Sequence, residues 1–191
     1  EKTIEHIEWD IEAAEKGGYE HFMMKEICEQ PKAVRDTIAP RIRNGRVVLD
    51  DITLTAEQLK SFTKICIVAC GTAYHVGVVA KYAFEELLRI PVEVDVASEF
   101  RYRKPIIDER TLMIIISQSG ETADTLAALR EAKRAGCRVL SIVNVVGSTI
   151  ANESDDVIYT WAGPEISVAS TKAYSTQLAV IYLLTLYIRG K

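Results

Sequence analysis

The chain has 191 residues, 48% of them hydrophobic and 26% charged, with a formal net charge of −4. That length suits one well-cored domain, and the mild acidity without a lysine- or arginine-rich block excludes a nucleic-acid partner, whose phosphates need cations in series. Cysteines at 28, 66, 70 and 137 and histidines at 6, 21 and 75 are too scattered for a disulfide framework or a metal site, and two of the cysteines sit in or beside an apolar run, as buried reduced thiols do.

Lys2 to Asp10 reads as a short extended piece, followed by a polar turn of helix from Glu12 to the Gly17-Gly18 pair. Tyr19, Phe22, Met23 and Ile27 recur at helical spacing up to Gln30, and Pro31 suits the first turn of a second helix running to about Ile42. Asn44-Gly45 predicts a turn, Val47 to Leu49 an extended piece, and Thr55 to Lys60 one or two capped turns. Regular alternation starts at Ile65. Ile65 to Ala69 is an apolar run suited to a strand buried on both faces, and Cys70-Gly71-Thr72-Ala73-Tyr74-His75 leads into a helix that reaches Arg89 and stops before Pro91.

Val92 to Val96 alternates apolar and acidic, which places it near a sheet edge, and Ser98 suits the cap of a short turn from Glu99 to Arg103. Arg101, Arg103 and Lys104, the densest basic group, read as a solvated turn. Leu112 to Ile116 is a second all-apolar strand, and it runs into Ser117-Gln118-Ser119-Gly120-Glu121-Thr122 at the start of a helix ending at Gly136. A strand from Val139 to Val143, a short helix from Ser148 to Glu153, a strand from Val157 to Thr160 and a helix from about Thr171 to Ile188 complete the chain. Leu178 to Ile188 is apolar nearly all round, and its eleven residues are well short of a membrane span. Such a helix is expected to pack its outer face on a twin subunit or a second domain.

Five strands alternating with helices predict an α/β fold: a three-layer, doubly wound, flavodoxin-like sandwich with a five-stranded parallel sheet, preceded by a helical N-terminal extension. Right-handed crossovers then bring the loops after the strands to one rim, where ligands of open α/β sheets bind. Three polar loops fall there, at 70–75, 117–122 and 163–172. The first N–H groups of a helix lack intrahelical partners and carry the positive end of the helix dipole, so each loop can receive an anion. Ser117, Ser119 and Thr122 can donate hydroxyls, Gln118 an amide, and Gly120 lets the backbone approach closely. No lysine accompanies this loop, so it suits a monophosphate ester better than a triphosphate. Simple helix capping by Ser119, Thr122 or Thr72 is the competing explanation, and three hydroxyl-rich loops on one rim favour the phosphorylated ligand. Gly71 followed by Gly77 is no dinucleotide fingerprint, which argues against an oxidoreductase.

Ala69-Cys70-Gly71-Thr72, Ala97-Ser98-Glu99-Phe100-Arg101-Tyr102, Ser117 through Thr125 and Val168-Ala169-Ser170-Thr171-Lys172-Ala173 together resemble the N-terminal sugar-isomerase (SIS) module of the glutamine:fructose-6-phosphate aminotransferase family, and Lys25 through Pro31 resembles its interdomain linker. The resemblance implies that residues 1–60 are linker and helical extension from a glutaminase half, and that 61–191 form the sugar-phosphate-binding domain. It implies an enzyme that moves ammonia from glutamine to fructose 6-phosphate and yields glucosamine 6-phosphate, without a cofactor. Ser117, Gln118, Ser119 and Thr122 would hold the phosphate of a hexose 6-phosphate. Thr72, Val168 and Ser170 would contact the sugar, with Cys70, Gly71, Ala73, Gly120 and Lys172 close by; many members carry Ser at the place of Ala73. The resemblance puts the catalytic base, the ring-opening histidine and the imine-forming lysine in a second SIS module and C-terminal tail, so no catalytic residue is expected in this chain. It implies a homodimer in the cytoplasm, without nucleic acid or membrane. A sugar-phosphate-sensing SIS module is the alternative from another functional class.

Overall fold

The computed structural model describes residues 15–190, so the extended piece read at 2–10 and the start of the turn of helix from Glu12 lie outside the described residues. Around Gly17 and Gly18 the chain makes a turn rather than a helix. The first helix, α1 (Phe22–Ile38), is one continuous helix with Pro31 inside it. Proline removes one backbone hydrogen bond and ordinarily ends or kinks a helix, but the two residues just before Pro31 are tied to the last helix of the chain: Glu29 pairs with Lys172 and Gln30 accepts from Ser175. Tertiary contact overrides the break that local sequence predicts.

A two-residue turn at Asn44 and Gly45, both with positive φ, joins β1 (Ile42–Arg43) to β2 (Arg46–Val47), the geometry of a hairpin turn that suits Asn-Gly. α2 (Ala56–Ser61) starts with a capping box: Thr55 accepts from the Gln58 N–H while the Gln58 side chain accepts from the Thr55 N–H. Then follow β3 (Lys64–Ala69), α3 (Thr72–Leu88), β4 (Val92–Val96), α4 (Ala97–Phe100), β5 (Thr111–Ser117), α5 (Ala123–Arg134), β6 (Arg138–Val143), α6 (Thr149–Glu153), β7 (Asp156–Tyr159) and α7 (Lys172–Arg189). Ser98 caps nothing, because α4 begins before it, after an extended Val96.

The sheet order is β4-β3-β5-β6-β7, all parallel, with β4 at an edge as its alternation predicts. The acidic residues of β4 are paired rather than merely solvated: Arg103 reaches both Glu93 and Asp95, and Lys64 reaches Glu93. Successive strand residues point to opposite faces, and two cores result. Ile65, Ile67, Leu112, Ile114, Leu140 and Ile142 pack with α3 and α7, while Cys66, Val68, Met113, Ile115, Val139 and Val143 pack with α4, α5 and α6. Burial pushes the thiol of Cys66 up to about 12, keeping it protonated. All four cysteines are free, with Cys28 exposed and Cys70 partly so.

The first core also takes Leu49, Ile52, Leu54 and Leu59 from the extension. α7 lies under α1 as well as against α3 and the sheet, and Ala173, Val180, Ile181, Leu183, Leu184 and Ile188 are all buried. Its all-round apolar sequence is therefore satisfied largely within the chain, with Tyr182 and Leu186 left exposed. No helix among the described residues is long and apolar enough to cross a membrane.

Candidate functional site

The sheet reverses its winding between β3 and β5, and at such a switch point the following loops diverge and leave a crevice. α3, α5 and α7 start around that crevice, which forms a cavity of about 330 Å³. The first loop contributes Cys70, Gly71, Thr72 and Ala73, the second Ser117, Gln118, Ser119 and Thr122, and the third Val168 and Ser170. Gly120 and Lys172 stand outside it. Gly120 is buried with φ +69°, and a Cβ there would lie 2.1 Å from Ser148 Oγ, so packing against Ser148 demands the glycine. Lys172 is 3% exposed and held by Glu29 at 2.7 Å, and it braces α7 against α1.

The hydroxyls are arranged for donation. Ser117 Oγ accepts from the Gly120 N–H at 3.0 Å and Ser119 Oγ accepts from the Glu121 N–H at 3.2 Å. A serine oxygen that already accepts keeps its own hydrogen for another partner. Thr122 is the N-cap residue of α5, yet its side chain makes no capping bond. α3 likewise has no side-chain cap, its N-cap being Gly71. Two helix starts thus face the cavity without side-chain caps, and capping leaves the hydroxyl of Thr122 unexplained.

Two carboxylates of the rim are committed elsewhere. Glu121 accepts from Thr149 N–H at 2.7 Å and Thr149 Oγ1 at 2.8 Å, and these bonds hold its carboxyl below the usual carboxylate range. Glu165 accepts from the N–H groups of Thr171 and Ala173 and from the hydroxyls of Ser170 and Thr171. It caps α7 and is, among the described residues, the one charged side chain lining the cavity. His75 is exposed, edge-on to Tyr74, and outside the cavity.

Sequence reasoning missed four wall residues: Ile116, Thr125, Ser167 and Gln177. It also missed what holds the third loop. Glu26 of α1 is 2% exposed and accepts from Ile166 N–H at 2.7 Å, Ser167 N–H at 3.0 Å and Thr171 Oγ1 at 3.1 Å. Burial pushes the Glu26 carboxyl upward, but these hydrogen bonds outweigh it and leave the group below the usual carboxylate range. Among the described residues no three His, Cys, Asp or Glu side chains gather as a metal ion would require.

Comparison with known proteins agrees with this geometry. Over 188 residues, 98% of this chain, it is 67% identical to the glutamine–fructose-6-phosphate aminotransferase [isomerizing] of Clostridium acetobutylicum. It is 66% identical over 186 residues to the enzyme of the same name from Caldanaerobacter subterraneus. The chain spans 31% of the length of each of these relatives. Among solved structures, the C-terminal domain of glucosamine-fructose-6-phosphate aminotransferase from Francisella tularensis superimposes with a TM-score of 0.86 at 46% identity, covering 92% of this chain and 50% of that one. Residues 58–187 match the model of the SIS domain, which takes in all five strands of the parallel sheet and all three loops of the cavity, and the chain therefore belongs to the SIS domain family.

Proposed function

We propose that this chain is the N-terminal SIS module of a glutamine:fructose-6-phosphate aminotransferase (isomerizing), and that its cavity binds the hexose 6-phosphate on which that enzyme acts. In this reading residues 61–191 are the sugar-phosphate domain and residues 1–60 the linker and extension leading from a glutaminase domain. The observation that carries it is the convergence of two helix starts without side-chain caps and the hydroxyls of Ser117, Ser119 and Thr122 on one cavity, with no lysine or arginine in its wall among the described residues. Neutral donors and helix dipoles suit a phosphomonoester that must be both held and released. Ser117, Gln118, Ser119 and Thr122 take the phosphate; Thr72 and the backbone at Val168 and Ser170 face the sugar.

Ketose-to-aldose isomerisation needs a carboxylate or similar base free to take a proton from carbon. Glu121 and Glu165 are occupied as helix caps, and the bonds from Thr149 hold Glu121 below the usual carboxylate range. This supports a binding role here, with the proton-transfer groups supplied by a second SIS module of the same chain and a homodimeric enzyme. Free cysteines support a reducing compartment such as the cytoplasm.

Calorimetric titration tests the reading. Fructose 6-phosphate and glucosamine 6-phosphate are expected to bind more tightly than inorganic phosphate, with no isomerisation by this chain alone. The pair Ser119→Ala and Thr122→Ala should weaken binding by about 2 kcal/mol, roughly thirtyfold, at about 1 kcal/mol per neutral hydrogen bond. Undiminished affinity in that variant would remove the phosphate from the 117–122 loop.

A further inference from the structure

Gln177 lies five residues inside α7, about 7.5 Å along the axis from its start. Side chains on a helix lean toward its N-terminal end, and that end of α7 opens on the cavity. The residue is 2% exposed and lines the cavity wall. Its polar neighbours on α7 are satisfied inside the protein. Thr176 and Thr185 donate to the carbonyls of Ala173 and Ile181, Ser175 donates to Gln30, and Lys172 pairs with Glu29.

The carboxamide of Gln177 has no hydrogen-bond partner among the described residues. Among the described residues, the wholly enclosed side-chain atoms without a partner are the hydroxyls of Ser141, Ser148 and Ser167, and the Gln177 amide is not one of them. It therefore touches open space, and the open space it borders is the cavity. A buried amide left unpaired is a cost to the folded state, which a ligand hydrogen bond would offset.

We propose that Gln177 is a substrate-binding residue whose carboxamide pairs with a hydroxyl of the sugar. The proposal rests on the sugar-phosphate reading of the cavity. A carboxamide presents an acceptor and donors side by side, which matches a hydroxyl that both gives and takes. An ionised phosphate only accepts and would use only the NH2 half of the amide, and the phosphate already has its donors at the start of α5. The Thr125 hydroxyl, also in the cavity wall, is by contrast turned to Cys70 Sγ at 3.6 Å.

The test compares the unaltered protein with Gln177→Met, which keeps length and removes the amide, and with Gln177→Leu. Each is titrated with fructose 6-phosphate and with inorganic phosphate, and the melting temperature of each is measured without ligand. Both variants should melt at or above the temperature of the unaltered protein, since an unpaired amide has been removed. They should keep their affinity for inorganic phosphate and lose roughly tenfold for fructose 6-phosphate, the value of one hydrogen bond in a buried site. Unchanged fructose 6-phosphate affinity overturns the proposal while leaving the sugar-phosphate reading in place. A lowered melting temperature or failure to fold overturns it as well, because it would mean the amide is held by the protein. No binding of fructose 6-phosphate by the unaltered protein would overturn the sugar-phosphate reading and this proposal with it.

Discussion

At Gly120 two demands fall on one residue. Its φ of +69° strains any side chain, and an added Cβ would sit 2.1 Å from Ser148 Oγ and 2.5 Å from Ser148 Cβ. Gly120→Ala should therefore destabilise the protein by about 3 kcal/mol, roughly one part backbone strain and two parts overpacking. In a domain of this size that corresponds to a drop of about 6–12 °C in melting temperature. Adding Ser148→Gly should restore the packing share and leave the backbone share, a split that thermal unfolding of the single and double variants would measure. From sequence alone the glycine looked like a place for a ligand to approach. Its actual neighbour, Ser148, lies in the loop after β6, so the reason for the glycine becomes visible only when β5 and β6 pair. Gln177 is similar: on the stripe it shares with buried Ala173 and Ile181, a polar residue is out of place, and that was the available signal.

Among the elements, α1 departs furthest from its sequence reading. Glu26 binds two backbone N–H groups and a hydroxyl some 140 residues away, which no local pattern can announce. Glu26→Gln replaces a charged acceptor with a neutral one that also brings donors into the same space, and should cost about 2 kcal/mol. Its pH dependence has a definite sign. The folded-state carboxyl lies below its ordinary value, so its contribution is complete above the unfolded value of about 4.3 and fades as pH falls through the lower folded value. Melting curves of the two proteins should stay separated at neutral pH and converge under acid; a gap that persists or widens at low pH would remove the charge from the account. The parallel sheet was far more legible, because Ile65–Ala69 and Leu112–Ile116 are short continuous apolar runs, each followed by a glycine-containing polar loop, as suits a strand covered on both faces. Pro31 misled because a helix braced by Lys172 and Ser175 tolerates what an isolated helix would not.

For the molecule as a whole, the extension and the sheet domain act as one body. α1 covers α7, Leu49 through Leu59 enter the core of the α3 and α7 side, and Glu26 sets the third loop of the cavity. The all-round apolar α7 thus finds its cover in the same chain, a long-range contact that its own sequence cannot report. The far edge of the sheet is treated in the same way. β7 is an edge strand, and the extension runs along it: Arg41 donates to the Tyr159 carbonyl at 2.7 Å, Thr37 donates to the Thr160 carbonyl, and Thr53 donates through N–H and hydroxyl to Asp156. Strand edges with unpaired carbonyls recruit strands from neighbouring molecules. A chain begun at residue 58 should therefore retain the helical and strand content of the sheet domain yet associate as its concentration rises, as light scattering would record. A soluble, monomeric product would show that β7 needs no cover. The extension, on this account, works as a permanent guard against aggregation, and the segment that reads as a connector also decides whether the domain can remain in solution.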